Sequence, residues 1–409
     1  MSASRPDLPL QALRRPSPAP IAPAPPAPDY VPEEWLSERP PEPVRPRSRD
    51  LSLDLIRGLA IVVLIFNHVL VTSGLQYAAG AVISAAEVLV AVSGVVVGIV
   101  FGRRWLEHGA RETTMMLLRR SRKLYVASVA VVALVGLLSF VPGLATEFLT
   151  GTRSMAEGVN SYSYDSVPRL LLAVVTLEAG PWQFNILGFF IAAIALAPAV
   201  LWGLSRGAWP VVLGASAALY WVGTEFHPDV LPSQSERVFP FLIWQFLFVG
   251  GAVIGWHRER IAAALGRWRR SAGATIVALA VGFAAALVAM QVALGDAGWK
   301  EWELANFDKG TLDLSRVFVT AVLIAGLYLI LRRYERPAAR LAGPLLLPLG
   351  QNSFYVFIMH VFVCLALASI PVLAAGGFGL LGNSLIEAGA VAALWLMVTR
   401  RFLFRWVPR

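Results

Sequence analysis

Apolar residues in this chain occur in long runs separated by short polar segments. Ten of these runs approach the roughly 20 residues that a helix needs to cross a bilayer core of about 30 Å. The pattern predicts an all-α polytopic membrane protein with about ten transmembrane helices. The runs are approximately Leu55–Ser73, Ala81–Phe101, Arg122–Val141, Phe184–Gly203, Pro210–Gly223, Phe239–Trp256, Ala274–Val292, Leu314–Leu331, Leu345–Ala368 and Leu380–Val398.

A shorter apolar stretch, Val167–Leu177, is about half the length of a membrane span. We therefore expect it to be an interfacial or re-entrant helix.

The composition agrees with a membrane protein: 57% of the residues are hydrophobic and 15% are charged. The net charge of +9 comes from short basic clusters between the apolar runs, so a nucleic-acid-binding face is not predicted. With the amino terminus placed in the cytoplasm, the remaining loops put 21 Lys and Arg residues inside and six outside. The positive-inside rule then predicts that both termini are cytoplasmic.

Residues 1–50 hold 14 of the 27 prolines and few apolar residues. We expect a disordered cytoplasmic tail, which could be a plain spacer or could recruit a partner through its proline runs. Residues 51–409 are treated as one transmembrane domain. The single cysteine, Cys364, lies in an apolar run and is expected to be a buried packing residue.

The first predicted helix carries Asp54, Arg57 and His68 in the sequence LDLIRGLAIVVLIFNHV. Ionisable side chains in a membrane helix are costly and mark functional sites by default. Asp54 can pair with Arg57 one turn away. The 11-residue step from Arg57 to His68 returns to nearly the same helix face about 16 Å along the axis, so both can face one cavity.

Glu87 falls near the predicted depth of His68 on the next helix. A Glu87–His68 pair would orient the imidazole as a general base that takes a proton from a hydroxyl group. The alternative is that the two side chains only join two helices through a hydrogen bond. The sequence leaves both interpretations open.

Several polar residues and two tryptophans cluster near the predicted outer ends of later helices. Together they are typical of a site for a hydroxyl-rich substrate, whereas singly each could be a helix-packing group. The tryptophans could stack on sugar rings or could anchor the protein at the interface. Metal-ligand spacing is not found within the spans, so a metal site is not expected. The residues are Trp182, Gln183, Asn185, Trp244, Gln245 and His360.

A basic cluster, Arg119, Arg120, Arg122 and Lys123, precedes the third predicted helix. It could anchor that helix to anionic lipids, or it could hold the phosphates of a nucleotide-bearing donor such as coenzyme A. A glycine-rich phosphate loop is absent from the sequence, which argues against an ATP-driven pump.

Three features of the first half resemble the acyltransferase 3 superfamily. Arg57, ten intervening residues and His68 match the hallmark of its first helix, and VAVSGVVVGIVF resembles its second helix at Ser93 and Gly94. The segment RRSRKLY resembles the arginine-rich loop before the third helix.

Further segments extend this resemblance to the OpgC family within the superfamily. LGQNSFYVFIMHV is similar to a late helix that carries Asn352 and His360, and the segments beginning at Trp182 and Trp244 are also similar. The resemblance covers most of the chain after Arg49, although the proline-rich tail is not part of the family pattern.

This resemblance implies a ten-span acyltransferase of the bacterial inner membrane that succinylates a periplasmic glucan. Acyl-CoA, either succinyl-CoA or acetyl-CoA, would be the donor, and the periplasmic glucan, membrane lipids and glucan-synthesis proteins would be the partners. His68, Glu87 and Arg57 would be catalytic. Binding of the donor is assigned to Ser93, Arg119, Arg120 and Arg122, and binding of the glycan to Trp182, Asn185, Gln245, Asn352 and His360.

Two other functions are compatible with the sequence. A transporter or flippase for a glycan or acyl donor would use the buried Asp54, Arg57, Glu87 and His68 as a path. A structural subunit of a glycan-export complex would not need His68 for its function.

Overall fold

A computed structural model of the chain describes residues 50–76, 84–151, 160–264, 266 and 269–408. The predicted tail, apart from Asp50, therefore lies outside the described residues. Regular structure in the described part is helical apart from one isolated bridge. The main helices are α1 Leu51–His68, α2 Ala85–His108, α3 Ala110–Leu138, α4 Val167–Thr176, α5 Asn185–Ser205, α6 Trp209–Phe226, α7 Phe241–Ala264, α8 Arg269–Asn306, α9 Leu314–Arg333, α10 Gly343–Gln351, α11 Ser353–Ala368 and α12 Gly379–Thr399.

Short helices connect the main ones. They are Glu147–Thr150, Glu335–Leu341 and Pro371–Ala374, with 3₁₀ turns at Trp182–Phe184 and Gln234–Arg237.

Seven helices of the described chain are long and apolar enough to cross a membrane, and an eighth span results if α10 and α11 are counted together. The protein is thus an all-α, multi-pass membrane protein, as the apolar runs predict. The fifth and sixth predicted runs also form helices, α6 and α7. These two helices are not among the seven that are long and apolar enough to count as spans. The predictions that the protein has ten spans and that both termini are cytoplasmic stay predictions. The short helix α4 has 10 residues and matches the expected short apolar helix.

Helix α1 begins and ends at different residues from the predicted run. Asp50 caps its start, because its carboxylate accepts from the backbone N–H of Leu53 (3.3 Å) and from the Tyr328 hydroxyl (2.9 Å). The helix ends at His68, since Val69 has an extended backbone. His68 is therefore the last helical residue, and the prediction that the helix continues to Ser73 was wrong.

The ninth predicted run is a broken pair of helices, so the prediction of one continuous helix was wrong. Helices α10 and α11 meet at Asn352 with a bend of 96°. Pro348 has no N–H to donate within α10, and the backbone of Asn352 leaves the helical region. The Asn352 side-chain amide donates to the Pro348 carbonyl (2.9 Å), which compensates for the break.

Close backbone packing joins α2 to α7. A Cβ on Gly94 would lie 2.0 Å from the carbonyl oxygen of Phe248, and one on Gly255 would lie 2.2 Å from that of Val95. Small residues permit such contact between membrane helices. Helix α2 also widens into a π-helical turn at Val97–Phe101 within this contact region. The interface holds α2 firmly beside the core that surrounds α1.

Candidate active site

His68 lies where the end of α1 meets α11 and the turn that precedes α5. Its Nδ1 is 2.9 Å from Nε2 of His360, and the two rings stack at 5.1 Å. The Trp182 ring meets the imidazole edge to face at 4.9 Å. Cys364, one turn beyond His360, donates from its buried thiol to the His68 carbonyl (3.4 Å). The structure thus brings His68, Trp182 and His360 together.

The contacts of His360 define the tautomers of both histidines. His360 is fully buried, and its Nδ1 lies 2.5 Å from the carbonyl oxygen of Phe357. A carbonyl only accepts, so this Nδ1 carries the proton and neutral His360 presents a lone pair at Nε2. His68 must then donate through Nδ1–H. Neutral His68 therefore has its lone pair on Nε2, the atom that a general base would use.

The Trp182 indole is fixed in place. Its N–H donates to the carbonyl of Phe148 (2.8 Å), and the Phe148 ring packs edge to face against the indole at 6.1 Å. Two residues on, Phe184 stacks on Phe357 at 5.6 Å. The turn before α5 therefore contacts His68 directly through Trp182, and contacts Phe357, whose carbonyl binds His360, through Phe184.

Arg57 lies near the opposite end of α1 from His68. Its guanidinium is 3.9 Å from the Asp54 carboxylate, which confirms the predicted pair. Gln351 donates to the other oxygen of Asp54 (3.2 Å), so the break between α10 and α11 is on this level. The charge of Arg57 also acts on Arg120 of α3. Arg57 and His68 are both partly exposed, and that they face one cavity stays a prediction.

Glu87 has a different main partner from the predicted one. Arg316 of α9 donates from Nε to its carboxylate (2.6 Å), and the Ser84 hydroxyl donates to it as well. The two charged side chains are 0% and 4% exposed. Arg316 also donates to Glu303 (3.2 Å) and to the Phe307 carbonyl (2.7 Å). The prediction that Glu87 orients His68 was therefore wrong. The side chain that pairs with His68 is His360.

Lys309, in the loop between α8 and α9, extends this charged group. Its ammonium lies over the Phe239 ring at 5.1 Å. Burial lowers the pKa of Lys309, and the negative charge of Glu87 opposes that shift. The cluster Glu87, Glu303, Lys309 and Arg316 is a polar network against which the loop packs.

Three residues that were assigned to glycan binding have no contact with His68 among the contacts of the described chain. The Gln245 amide is saturated by the hydroxyl and carbonyl of Ser216 and by the Leu242 carbonyl. Asn352 is at the helix break on the level of Asp54, where its amide binds Pro348. The helix-packing interpretation therefore explains Gln245 and Asn352. Asn185 is half-buried at the start of α5.

The basic cluster lies along α3. Arg119, Arg120 and Arg122 are exposed, and Arg119 lines an open groove of about 440 Å³ at the junction of α2 and α3. Ser93 is half-buried in α2. The other groove residues are His108, Arg111, Glu112, Met115 and Met116.

Comparison with known proteins identifies the family. The sequence model described as OpgC protein matches residues 49–406 of the chain, which covers every described helix. The chain belongs to the OpgC family. Curated proteins and solved structures gave no match to it.

Membership of the OpgC family confirms the resemblance on which the sequence-based assignment depends. It supports a membrane transferase with an acyltransferase-like, glucan-modifying role. The histidine pair at the end of α1 is the part of the structure best suited to such chemistry.

Proposed function

We propose that this protein is an integral-membrane O-acyltransferase of the bacterial inner membrane. It moves an acyl group, such as succinyl, from cytoplasmic acyl-CoA to a hydroxyl group of a periplasmic glucan or another extracytoplasmic glycan. The observation that carries the proposal is the His68–His360 pair, which leaves a basic nitrogen on His68 at the end of α1. OpgC family membership supports the reaction class.

The transfer step follows from this geometry. His68 Nε2 takes the proton of a glycan hydroxyl while the hydroxyl oxygen attacks the thioester carbonyl carbon. A C–O bond forms, the C–S bond breaks, and the coenzyme A thiolate receives the proton from the imidazolium. The transient charge on His68 is stabilised through Nδ1–H by the lone pair of His360.

Donor binding is assigned to the Arg57 end of α1. Phosphate groups suit arginine because its planar guanidinium donates two parallel hydrogen bonds. Arg119, Arg120 and Arg122 would hold the coenzyme A phosphates. The thioester would then extend about 16 Å along α1 to reach His68.

A reconstituted system tests this function. Purified protein in lipid vesicles is given succinyl-CoA labelled in the succinyl group outside and a β-linked glucose tetrasaccharide inside, or the reverse. Mass spectrometry is expected to show a succinyl ester on the tetrasaccharide. Movement of the tetrasaccharide without an ester would instead support the transporter or flippase, and neither ester nor movement would favour a structural subunit.

A further inference from the structure

The sequence Trp-Gln-Phe occurs twice, at Trp182–Phe184 and at Trp244–Phe246. Both glutamines are buried, at 2% for Gln183 and 0% for Gln245. Their amides differ in their surroundings. Gln245 accepts from the Ser216 hydroxyl (2.7 Å) and donates to two carbonyls, so its amide is used in packing α6 against α7.

Gln183 lacks such partners. Neither its Nε2 nor its Oε1 has a hydrogen-bond partner in the described chain, and both atoms are inaccessible. The other side chains with an unpartnered buried atom there each have one such atom, so Gln183 alone has both ends of an amide unmatched. A buried polar group without a partner destabilises the fold, which makes such a group in a native protein a candidate for binding another molecule.

The position of Gln183 links this amide to the histidine pair. Trp182, one residue before it, contacts the His68 ring. Phe184, one residue after it, stacks on Phe357, whose carbonyl anchors His360. The two chain neighbours of Gln183 thus contact His68 and the residue that anchors His360, so Gln183 belongs to the turn that packs against the histidine pair.

We infer that Gln183 binds a hydroxyl group of the acceptor sugar beside His68. An amide can donate to one hydroxyl oxygen and accept from a neighbouring hydroxyl, which matches the adjacent hydroxyl groups of a hexose. Gln245, with its amide saturated, has no such capacity. The inference rests on the proposed function, since it names the group that receives the acceptor for that reaction.

The matched variants Gln183→Leu and Gln245→Leu test the inference. Initial rates are measured against the concentration of a β-linked glucose tetrasaccharide at saturating succinyl-CoA, and then with the two substrates exchanged. Gln183→Leu is expected to raise the KM for the tetrasaccharide about tenfold or more, because a buried hydrogen bond is lost, and to leave the KM for succinyl-CoA unchanged. An unchanged KM for the tetrasaccharide would overturn the inference.

Thermal unfolding separates binding from a packing role. Leucine at position 183 removes two unsatisfied polar atoms, so the midpoint should stay the same or rise. Gln245→Leu should lower it, because Ser216 loses its partner. A drop in Gln183→Leu as large as that in Gln245→Leu would assign the amide to packing and refute the inference.

A binding measurement keeps the inference distinct from the proposed function. Calorimetric titration of the tetrasaccharide into the protein without a donor is expected to show binding by the wild type and at least tenfold weaker binding by Gln183→Leu. This result would support the inference even if no acyl transfer occurred. Equal affinities would refute it whatever the transfer assay showed.

Discussion

Replacement of His360 by phenylalanine would leave His68 without the lone pair that accepts its Nδ1–H. Phenylalanine keeps a flat ring in the fully buried position, although it is somewhat larger and also removes the donor to the Phe357 carbonyl. Neutral His68 could then place its proton on either nitrogen. The imidazolium that forms during transfer would also lose its partner.

The size of the effect follows from the bond that is lost. A hydrogen bond to a charged group contributes about 1.5–3 kcal/mol, and each 1.36 kcal/mol changes a rate about tenfold. We therefore expect kcat to fall about 10- to 150-fold, with a much smaller change in the KM for acyl-CoA. His360→Gln should recover part of the rate, because its amide oxygen can accept from Nδ1–H.

The assay is the initial rate of ester formation in vesicles, with protein folding checked by thermal unfolding. His257→Phe provides a matched control, since His257 of α7 packs on Trp209 and away from the pair, and it should retain the wild-type rate. A His360→Phe protein that is folded and as fast as the wild type would refute the positioning role of His360. Equal losses in the glutamine and phenylalanine variants would contradict the acceptor role.

Three further predictions concern other parts of the structure. Glu87→Gln should lower the stability by up to about 3–5 kcal/mol, because it leaves Arg316 buried without its main counter-charge; an unchanged melting temperature would contradict this. Gly94→Ala should lower the melting temperature, because its Cβ would clash with the α7 backbone. An unchanged melting temperature would show that α2 and α7 can separate without cost. Arg120→Ala should raise the KM for acyl-CoA about tenfold, because a hydrogen bond to a charged group is lost, whereas the control Arg400→Ala should leave this KM unchanged. Equal KM values in the two variants would contradict the assignment of Arg120 to donor binding.

Local features of the fold could be predicted from the sequence. The Asp54–Arg57 pair depends on helical spacing alone, and the apolar runs locate the helices. The helix ends are less well predicted, since α3 begins at Ala110 instead of Arg122 and α8 ends at Asn306 instead of Val292. The end of α1 at His68 could not be predicted, because Val69 and the residues after it are apolar enough to continue a span. The break at Asn352 does have a local signal, the polar run Gln351–Ser353 after Pro348, but the apolar residues on both sides had been joined into one run.

The long-range side-chain contacts of the site were harder to predict from the sequence than the local features. Glu87 and His68 were paired because they fall at similar depths, but depth does not select among several side chains on that level. The actual partners, Arg316 for Glu87 and His360 for His68, are 229 and 292 residues away in the sequence. The presence of Trp182 and His360 in the site was predicted, whereas the role of His360 as a hydrogen-bond acceptor required the structure.

The most direct test of the account is the rate of succinyl-ester formation by His68→Ala protein in vesicles, with membrane insertion verified. The account predicts a rate about 10²- to 10⁴-fold below that of the wild type, the range expected for loss of a general base. A folded His68→Ala protein that forms the ester at the wild-type rate would contradict it.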